Sequence, residues 1–121
     1  MRYDALLVRT SKLLTSSKRV EQLIQAHDAT MCRISSSHAN LWYLEVVAVH
    51  PSLQGCGLGG EAMRCVLEQV KGDPVVLECT ERSNVRFYEK LGFECLEEVV
   101  LSDSSAESAE ECRMWVMLRA P

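Results

Sequence analysis

The segment from Gln54 to Gly60 constrains this chain most, because it places four glycines between an apolar run and a helical pattern. The preceding run, 41–49, is nearly continuous apolar sequence with β-branched and aromatic residues, which predicts a strand covered on both faces. His50-Pro51 ends that strand, since proline cannot donate to a β-ladder. From Leu58 apolar residues recur at helical spacing, which predicts a helix that Gly72-Asp73-Pro74 stops.

A glycine-rich start predicts that this helix holds an anion. The first-turn N–H groups of a helix have no intrahelical partner, and the helix dipole is positive at that end. A polyphosphate placed there receives several hydrogen bonds and a favourable charge interaction. Glycine lets the backbone touch the ligand, although each costs roughly 0.5–1 kcal/mol against alanine inside a helix. The alternative is an ordinary glycine turn between strand and helix.

Two other phosphate-binding patterns fit less well. A P-loop would need a Gly-Lys-Ser/Thr ending, which the sequence lacks. Gly55, Gly57 and Gly60 meet the dinucleotide pattern G-x-G-x-x-G, and Glu78 stands about twenty residues on, where a ribose-binding acid would be expected. However, 50–54 separates the glycines from the strand, and too few strands follow for a dinucleotide-binding fold.

The other segments predict an α+β protein with a mixed sheet. An amphipathic helix precedes a polar loop at 35–40; its apolar stripe is Leu13, Val20, Ile24 and Met31. The Leu58 helix should bury the row Leu58, Ala62, Val66 and Val70, widened by Met63 and Leu67. A strand at 75–80 follows, and then a helix that Ser83 caps and that ends at Leu91. Two last strands, at 93–101 and 113–118, are joined by an acidic loop at 102–111. The predicted order after the N-terminal helix is strand, helix, strand, helix, strand, strand, with a parallel βαβ unit.

Composition narrows the function classes. The 121 residues carry a formal net charge of −4, which disfavours an electrostatic nucleic-acid binder. No segment approaches the roughly 20 apolar residues of a membrane span, and the first ten residues lack the apolar core of a signal peptide, so we expect an intracellular, cytoplasmic protein, or a nuclear one. The six cysteines show no metal-site spacing and are expected to be buried free thiols, with no metal bound.

A second motif supports the glycine loop. The stretch from Asn84 to Phe93 places Tyr88 at i+4 from Asn84 on one face of a short helix and ends in Leu-Gly-Phe. Together with Gln54, Gly57 and Gly59, which match the pattern Gln/Arg-x-x-Gly-x-Gly/Ala, this stretch resembles the GNAT superfamily of acetyl-CoA-dependent N-acetyltransferases. The resemblance runs from Leu41 to about Leu118.

The resemblance implies the roles of individual residues. The cofactor acetyl-CoA would bind by its pantetheine amides to the backbone of Val47, Ala48 and Val49, and by its pyrophosphate to the N–H groups of Gln54, Gly55, Cys56, Gly57, Leu58, Gly59 and Gly60. Asn84 would contact the cofactor arm, and the thioester would sit where two parallel strands splay apart. The acceptor would be an amine of a small molecule or a protein.

Two residues are candidates for proton transfer. Tyr88 would protonate the departing thiolate, a suitable task because an ordinary tyrosine pKa of about 10 lies above a thiol pKa of about 8.5; simple core packing is the alternative. Glu45 should share a strand face with apolar neighbours and would act as general base, whereas substrate binding or a solvent-reaching carboxylate is equally compatible. The amine would attack directly, because neither Cys56 nor Cys79 has a His–acid partner nearby in sequence.

The first forty residues depart from the family pattern, because they read as a helical segment where three leading strands are expected. We therefore treat 1–40 as an N-terminal helical segment and 41–121 as the cofactor-binding core of a shortened fold. The strand at Leu41 would then expose an edge, which a homodimer would cover. An active N-acetyltransferase and a non-catalytic acyl-CoA-binding module with an incomplete acceptor site both remain open.

Overall fold

A computed structural model describes residues 18–101 and 112–121. Within these residues, three helices and four strands follow one another in the predicted order: α1 (Lys18–Ser37), β1 (Trp42–Leu44), α2 (Leu58–Gln69), β2 (Val75–Cys79), α3 (Arg82–Glu89), β3 (Glu94–Leu101) and β4 (Cys112–Arg119). A single turn of 3₁₀ helix (Pro51–Leu53) precedes the glycines. The predicted acidic loop at 102–111, and Leu13 of the expected helical stripe, lie outside the described residues.

The four strands form one mixed sheet in the order β1-β2-β4-β3, as the α+β prediction requires. β1 pairs in parallel with β2 across the α2 connection, whereas β4 pairs antiparallel with β2 and with β3. The last two strands are therefore hairpin partners, as expected. A bulge between Cys95 and Glu97 interrupts the β3–β4 register.

Each face of the sheet carries its own apolar cluster, because successive side chains of a strand point to opposite faces. On one face α2 and α3 cover Leu77, Cys79 and Met117, with Met63 and Leu67 as the buried residues of α2. On the other face α1 covers Val76, Met114 and Val116 through Ile34. We call these the α2 face and the α1 face of the sheet.

The predicted apolar stripes of the helices were partly wrong. Met63 and Leu67 of α2 are buried, but Leu58 and Val66 of the row expected to lead the packing are 41% and 46% exposed. In α1 the buried residues are Thr30 and Ile34, and Met31 of the predicted stripe packs beside them half-buried, whereas Ile24 is 39% exposed. Each helix is rotated about its axis relative to the predicted orientation. Because apolar residues occur on more than one face of each helix, the face that is buried depends on how the helix packs against the sheet.

The end of α1 and the start of α3 also differ from prediction. α1 continues to Ser37, through serines that were assigned to a loop. Within this last turn the Ser35 and Ser36 hydroxyls donate to the carbonyls of Cys32 and Arg33 at 3.2 and 2.7 Å, so they find partners inside the helix. α3 is N-capped by Glu81 in an extended conformation instead of by Ser83. Gly92, at φ +88°, follows the helix as expected of a C-terminal glycine.

The prediction that 41–49 forms a strand covered on both faces was wrong. Only Trp42–Leu44 is paired, and Trp42, Val46 and Val47 are 52%, 76% and 38% exposed. Among the described residues β1 is the last strand on its side of the sheet, so it has one pairing partner instead of two. The cysteines are free, but Cys32, Cys56, Cys65 and Cys95 are exposed and only Cys79 is buried, contrary to the expectation of buried thiols.

Candidate functional site at the glycine loop

The glycine loop turns on two residues in the left-handed region. Gly55 has φ +78° and Gly57 has φ +82°, conformations that side-chain-bearing residues adopt with strain. A Cβ at either position would meet no atom within 4 Å. Backbone conformation, and not crowding by protein atoms, therefore demands glycine here, and the space in front of the loop is open.

Helix α2 starts without a side-chain cap. Gly57 occupies the N-cap position and has no side chain to offer. The first helical hydrogen bond runs from the Glu61 N–H to the Gly57 carbonyl at 3.1 Å, so the N–H groups of Leu58, Gly59 and Gly60 precede it. Donors of this kind at the positive end of a helix dipole form an anion site. Of the residues predicted to bind the pyrophosphate, those from Gln54 to Leu58 are exposed, and Gly59 and Gly60 are half-buried.

The turn before the glycines is braced by its own side chains. Gln54 donates from Nε2 to the Val49 carbonyl at 3.0 Å, closing the turn across the 3₁₀ helix. His50 accepts at Nδ1 from the Ser52 N–H at 3.3 Å, at the start of that helix. The Gln54 N–H also donates within the turn, to the Pro51 carbonyl at 3.3 Å, so it is not one of the donors that the turn leaves open, although it was predicted to hold the pyrophosphate.

Gly59 brings the loop and α3 together. A Cβ at Gly59 would lie 3.5 Å from Val49 Cγ2 and 3.8 Å from Phe87 Cζ, so both side chains pack beside this glycine. Phe87 in turn packs edge-to-face on Tyr88 at 5.1 Å between ring centroids. The predicted cofactor residue Val49 and the predicted proton donor Tyr88 are therefore parts of one packed unit.

The parallel pairing of β1 with β2 ends before this unit. The β1–β2 register ends at the pair Leu44 and Leu77, while β2 continues to Cys79. The following backbone, which includes Val47, Ala48 and Val49, belongs to no described strand. Its N–H and C=O groups lie beyond the last pair of the parallel ladder, where a third partner can be inserted.

Tyr88 is held in a defined position at the end of α3. Its ring lies 5.6 Å from that of Phe93, edge-to-face, and its carbonyl accepts from the Leu91 and Phe93 N–H groups at 2.9 and 3.1 Å. Burial, with a smaller contribution from the nearby Cys79 thiol, raises the pKa of Tyr88 above its ordinary value of 10.0. The hydroxyl therefore keeps its proton at neutral pH. Asn84, one turn earlier, is exposed.

Glu45 does not lie in the apolar setting that was predicted for it. The strand that was to align it with Tyr43, Val47 and Val49 ends one residue earlier, and Glu45 is exposed to solvent. Of the two alternatives kept open for this residue, its position matches the carboxylate that reaches solvent.

A family comparison supplies the identity that this geometry suggests. The family model described as an acetyltransferase (GNAT) domain matches residues 19–95, which is more than half of the chain and includes both motifs. The chain belongs to the GNAT acetyltransferase family.

Solved structures of GNAT enzymes share the fold of this chain. A polyamine N-acetyltransferase of Drosophila melanogaster, which forms N-acetylagmatine, matches with a TM-score of 0.60 and 20% identity over 91% of this chain and 60% of its own. A variant of an agmatine N-acetyltransferase has a TM-score of 0.59 and 20% identity, over 91% and 62% of the two chains. A mosquito arylalkylamine N-acetyltransferase-like protein matches with a TM-score of 0.59 and 17% identity, over 91% and 59%. This GNAT chain thus spans about 60% of the length of these neighbours.

Arg64 was not predicted as part of the GNAT site. A Cβ at Gly60 would lie 3.5 Å from Arg64 Nη1, which places a guanidinium beside the start of α2. The i, i+4 spacing of Gly60 and Arg64 on a helix was visible in the sequence and was the available signal. Arg64 also lines a cleft of about 340 Å³ with Lys90, Arg119 and Glu68.

A hydrogen-bonded cluster on the α1 face was also missed. His27 was assigned no role, and Glu78 was considered only as a ribose-binding acid, yet His27 Nδ1 lies 2.6 Å from Glu78 Oε2. Tyr43 donates its hydroxyl to the same oxygen at 3.2 Å. Sequence gave no signal for it, because His27 and Glu78 are far apart in the chain and meet only when α1 packs on the sheet.

The described residues contain neither a metal-ligand cluster nor a membrane-spanning helix. In 18–101 and 112–121, no cluster of three or more His, Cys, Asp or Glu side chains has a metal-binding arrangement. Within the same residues, no helix combines the length and apolar character needed to cross a bilayer.

Proposed function

We propose that this chain binds acetyl-CoA at the glycine loop and transfers its acetyl group to an amine. The observation that supports the proposal best is the uncapped start of α2, where three N–H groups precede the first helical bond behind an open glycine turn. Those donors would hold the pyrophosphate, with Gly55, Cys56 and Gly57 contributing backbone and Arg64 contributing charge, while Gln54 would brace the turn behind them. Asn84 would contact the cofactor arm from α3.

The parted strands fit the remainder of the cofactor. The backbone of Val47, Ala48 and Val49 would hydrogen-bond the pantetheine amides as an added strand, because it lacks a β2 partner beyond Leu44. When bound, acetyl-CoA supplies a thioester whose carbonyl carbon forms a C–N bond to the amine as its C–S bond breaks. The Val49 N–H, or that of its neighbour, would stabilise the negative charge that develops on the carbonyl oxygen.

Proton transfer is assigned to two residues. Tyr88 would donate its hydroxyl proton to the departing sulfur, since the raised pKa keeps that proton in place until the thiolate forms. Glu45, exposed just after β1, would accept the proton released by the amine through a water molecule. Amine acceptors are in keeping with the polyamine, agmatine and arylalkylamine enzymes that share the fold. Holding the two reactants together would supply most of the acceleration.

Coenzyme A calorimetry on matched glycine variants tests the binding site. Gly57 and Gly72 both have positive φ and open surroundings, but Gly72 follows the opposite end of α2. Alanine should therefore strain both positions similarly, whereas only Gly57→Ala should weaken binding, by about tenfold for one misdirected charge-assisted hydrogen bond. Equal affinities for the two variants, or no heat with the wild type, would refute the site.

Turnover tests the chemistry separately. Acetyl-CoA and a panel of small primary amines should give measurable transfer, and Tyr88→Phe should lower kcat by about 10²-fold or more without changing coenzyme A affinity, in the range of general acid catalysis. Tight binding with no transfer to any amine would instead identify a non-catalytic acyl-CoA-binding module.

A further inference from the structure

Glu78 occupies the point where β1 and β2 part. The last pair of the parallel ladder is Leu44 with Leu77, so Glu78 is the first β2 residue without a β1 partner. Its side chain alternates with those of Leu77 and Cys79 and therefore points to the α1 face. Where the pairing ends, Cys79 and Tyr88 thus lie on the α2 face of the sheet and Glu78 lies on the α1 face.

One carboxylate oxygen of Glu78 is fixed by two neighbours. His27 Nδ1 lies 2.6 Å from Oε2, and the Tyr43 hydroxyl donates to it at 3.2 Å. The His27 and Tyr43 rings pack edge-to-face at 5.5 Å between centroids. Helix α1 and strand β1 therefore hold the carboxylate in one orientation just past the last pair of the parallel ladder.

The other oxygen has no such support. The Glu78 side chain is 11% exposed, and its Oε1 is buried without a hydrogen-bond partner among the described residues. A buried carboxylate oxygen without a donor is costly, and such groups in folded proteins call for a donor from outside the protein, such as a ligand or water. The donor that would suit an anionic oxygen best is a cation with N–H groups.

We infer that Glu78 binds the ammonium group of the acceptor amine through Oε1, with His27 and Tyr43 as positioning residues. The inference rests on the proposed function, which places the thioester between β1 and β2 and the proton donor Tyr88 on the α2 face. An acceptor must then approach from the α1 face, where Glu78 stands. The substrate class is a primary amine that binds in its protonated form and gives up one proton, through the water at Glu45, before its nitrogen attacks the thioester.

Steady-state kinetics on Glu78→Gln tests this assignment, because the substitution keeps shape and removes charge. The KM for butylamine should rise at least about tenfold, the loss expected for a hydrogen bond between charged groups, while coenzyme A affinity stays unchanged. Transfer to hydroxylamine, a nucleophile that is neutral at neutral pH, should change little. A rise in KM that is equal for both nucleophiles, or no rise at all, would overturn the inference.

Glu97→Gln is the matched control. Glu97 also joins α1 to the sheet, by an ion pair with Arg33, but it lies on β3, away from the parted strands. If Glu78 only clamps α1, both variants should lower the melting temperature similarly and neither should separate butylamine from hydroxylamine. That result would contradict amine binding.

Amine binding can also be measured directly, so that the inference is tested even if no acetyl transfer is detected. Butylamine should shift the His27 imidazole resonances in NMR spectra of the wild type bound to coenzyme A, whereas butanol of the same shape should not. Shifts without acetyl transfer would support the amine site while refuting the enzyme. Transfer without shifts would refute the amine site alone.

Discussion

The centre and the β1 edge of the sheet are built from similar sequence but differ in their surroundings. Val76, Val116 and Met117 of β2 and β4 are 0% exposed, whereas Val46 and Val47 just past β1 are 76% and 38% exposed. The central strands have two pairing neighbours and helices on both faces, while β1 has one neighbour over three residues. Apolar composition thus sets what a segment is able to bury, and its neighbours decide what it does bury.

The central strands should therefore determine the stability of the fold, whereas the edge should determine ligand binding and catalysis. The central strands hold the packed clusters of both faces, and the proposed cofactor and acceptor residues lie where the edge parts from them. Unpaired backbone and an open loop contribute little to folding, but they are what a ligand can bind. Substitutions in the two regions should therefore affect different measurements.

Stability should change most in the centre. Met117→Ala should lower the free energy of unfolding by about 2–5 kcal/mol, because it leaves a cavity between α2 and the sheet. Val46→Ala should change it by less than about 0.5 kcal/mol. Urea denaturation measures both, and Met117→Leu, which should cost less than about 1.5 kcal/mol, provides a folded intermediate case. A comparable loss for Val46→Ala would show that the edge is covered in solution.

Affinity should respond to charge beside the loop. Arg64→Met should weaken coenzyme A binding by roughly two- to fivefold, as expected for one exposed charge, and the deficit should shrink as salt is added. Lys71→Met removes an exposed positive charge just past the other end of α2 and is the control. Equal effects of the two variants would mean that net charge, and not the position of Arg64, governs binding.

The two regions were not equally predictable from the sequence. The element order, the mixed sheet and the glycine turn follow from local signals: β-branched runs, helical spacing and glycines at positive φ such as Gly57 and Gly92. The length of β1, the buried faces of α1 and α2, and the solvent exposure of Glu45 depend on which elements pack together, which local patterns do not encode. The His27–Glu78 contact is missed for the same reason.

The smallest effect we expect concerns two thiols, one buried in the centre of the sheet and one exposed in the glycine loop. Burial, with a smaller contribution from Cys95, raises the pKa of Cys79 from its ordinary value of 9.0 to about 11. Cys56, in the glycine loop, is exposed. Below pH 9.0 a thiol reagent should therefore modify Cys56 readily and Cys79 only when the sheet opens.

The same shift sets the sign of an alkaline pH dependence. Between pH 9.0 and about 11 the unfolded chain loses the Cys79 proton while the folded chain keeps it, so this contribution to stability is complete below that window and falls as pH rises through it. The raised pKa of Tyr88 acts in the same direction above pH 10.0. Cys79→Ala should flatten the decline in denaturation midpoint across this window and Cys56→Ala should not. Identical slopes for both variants would place the titrating groups outside the packed centre.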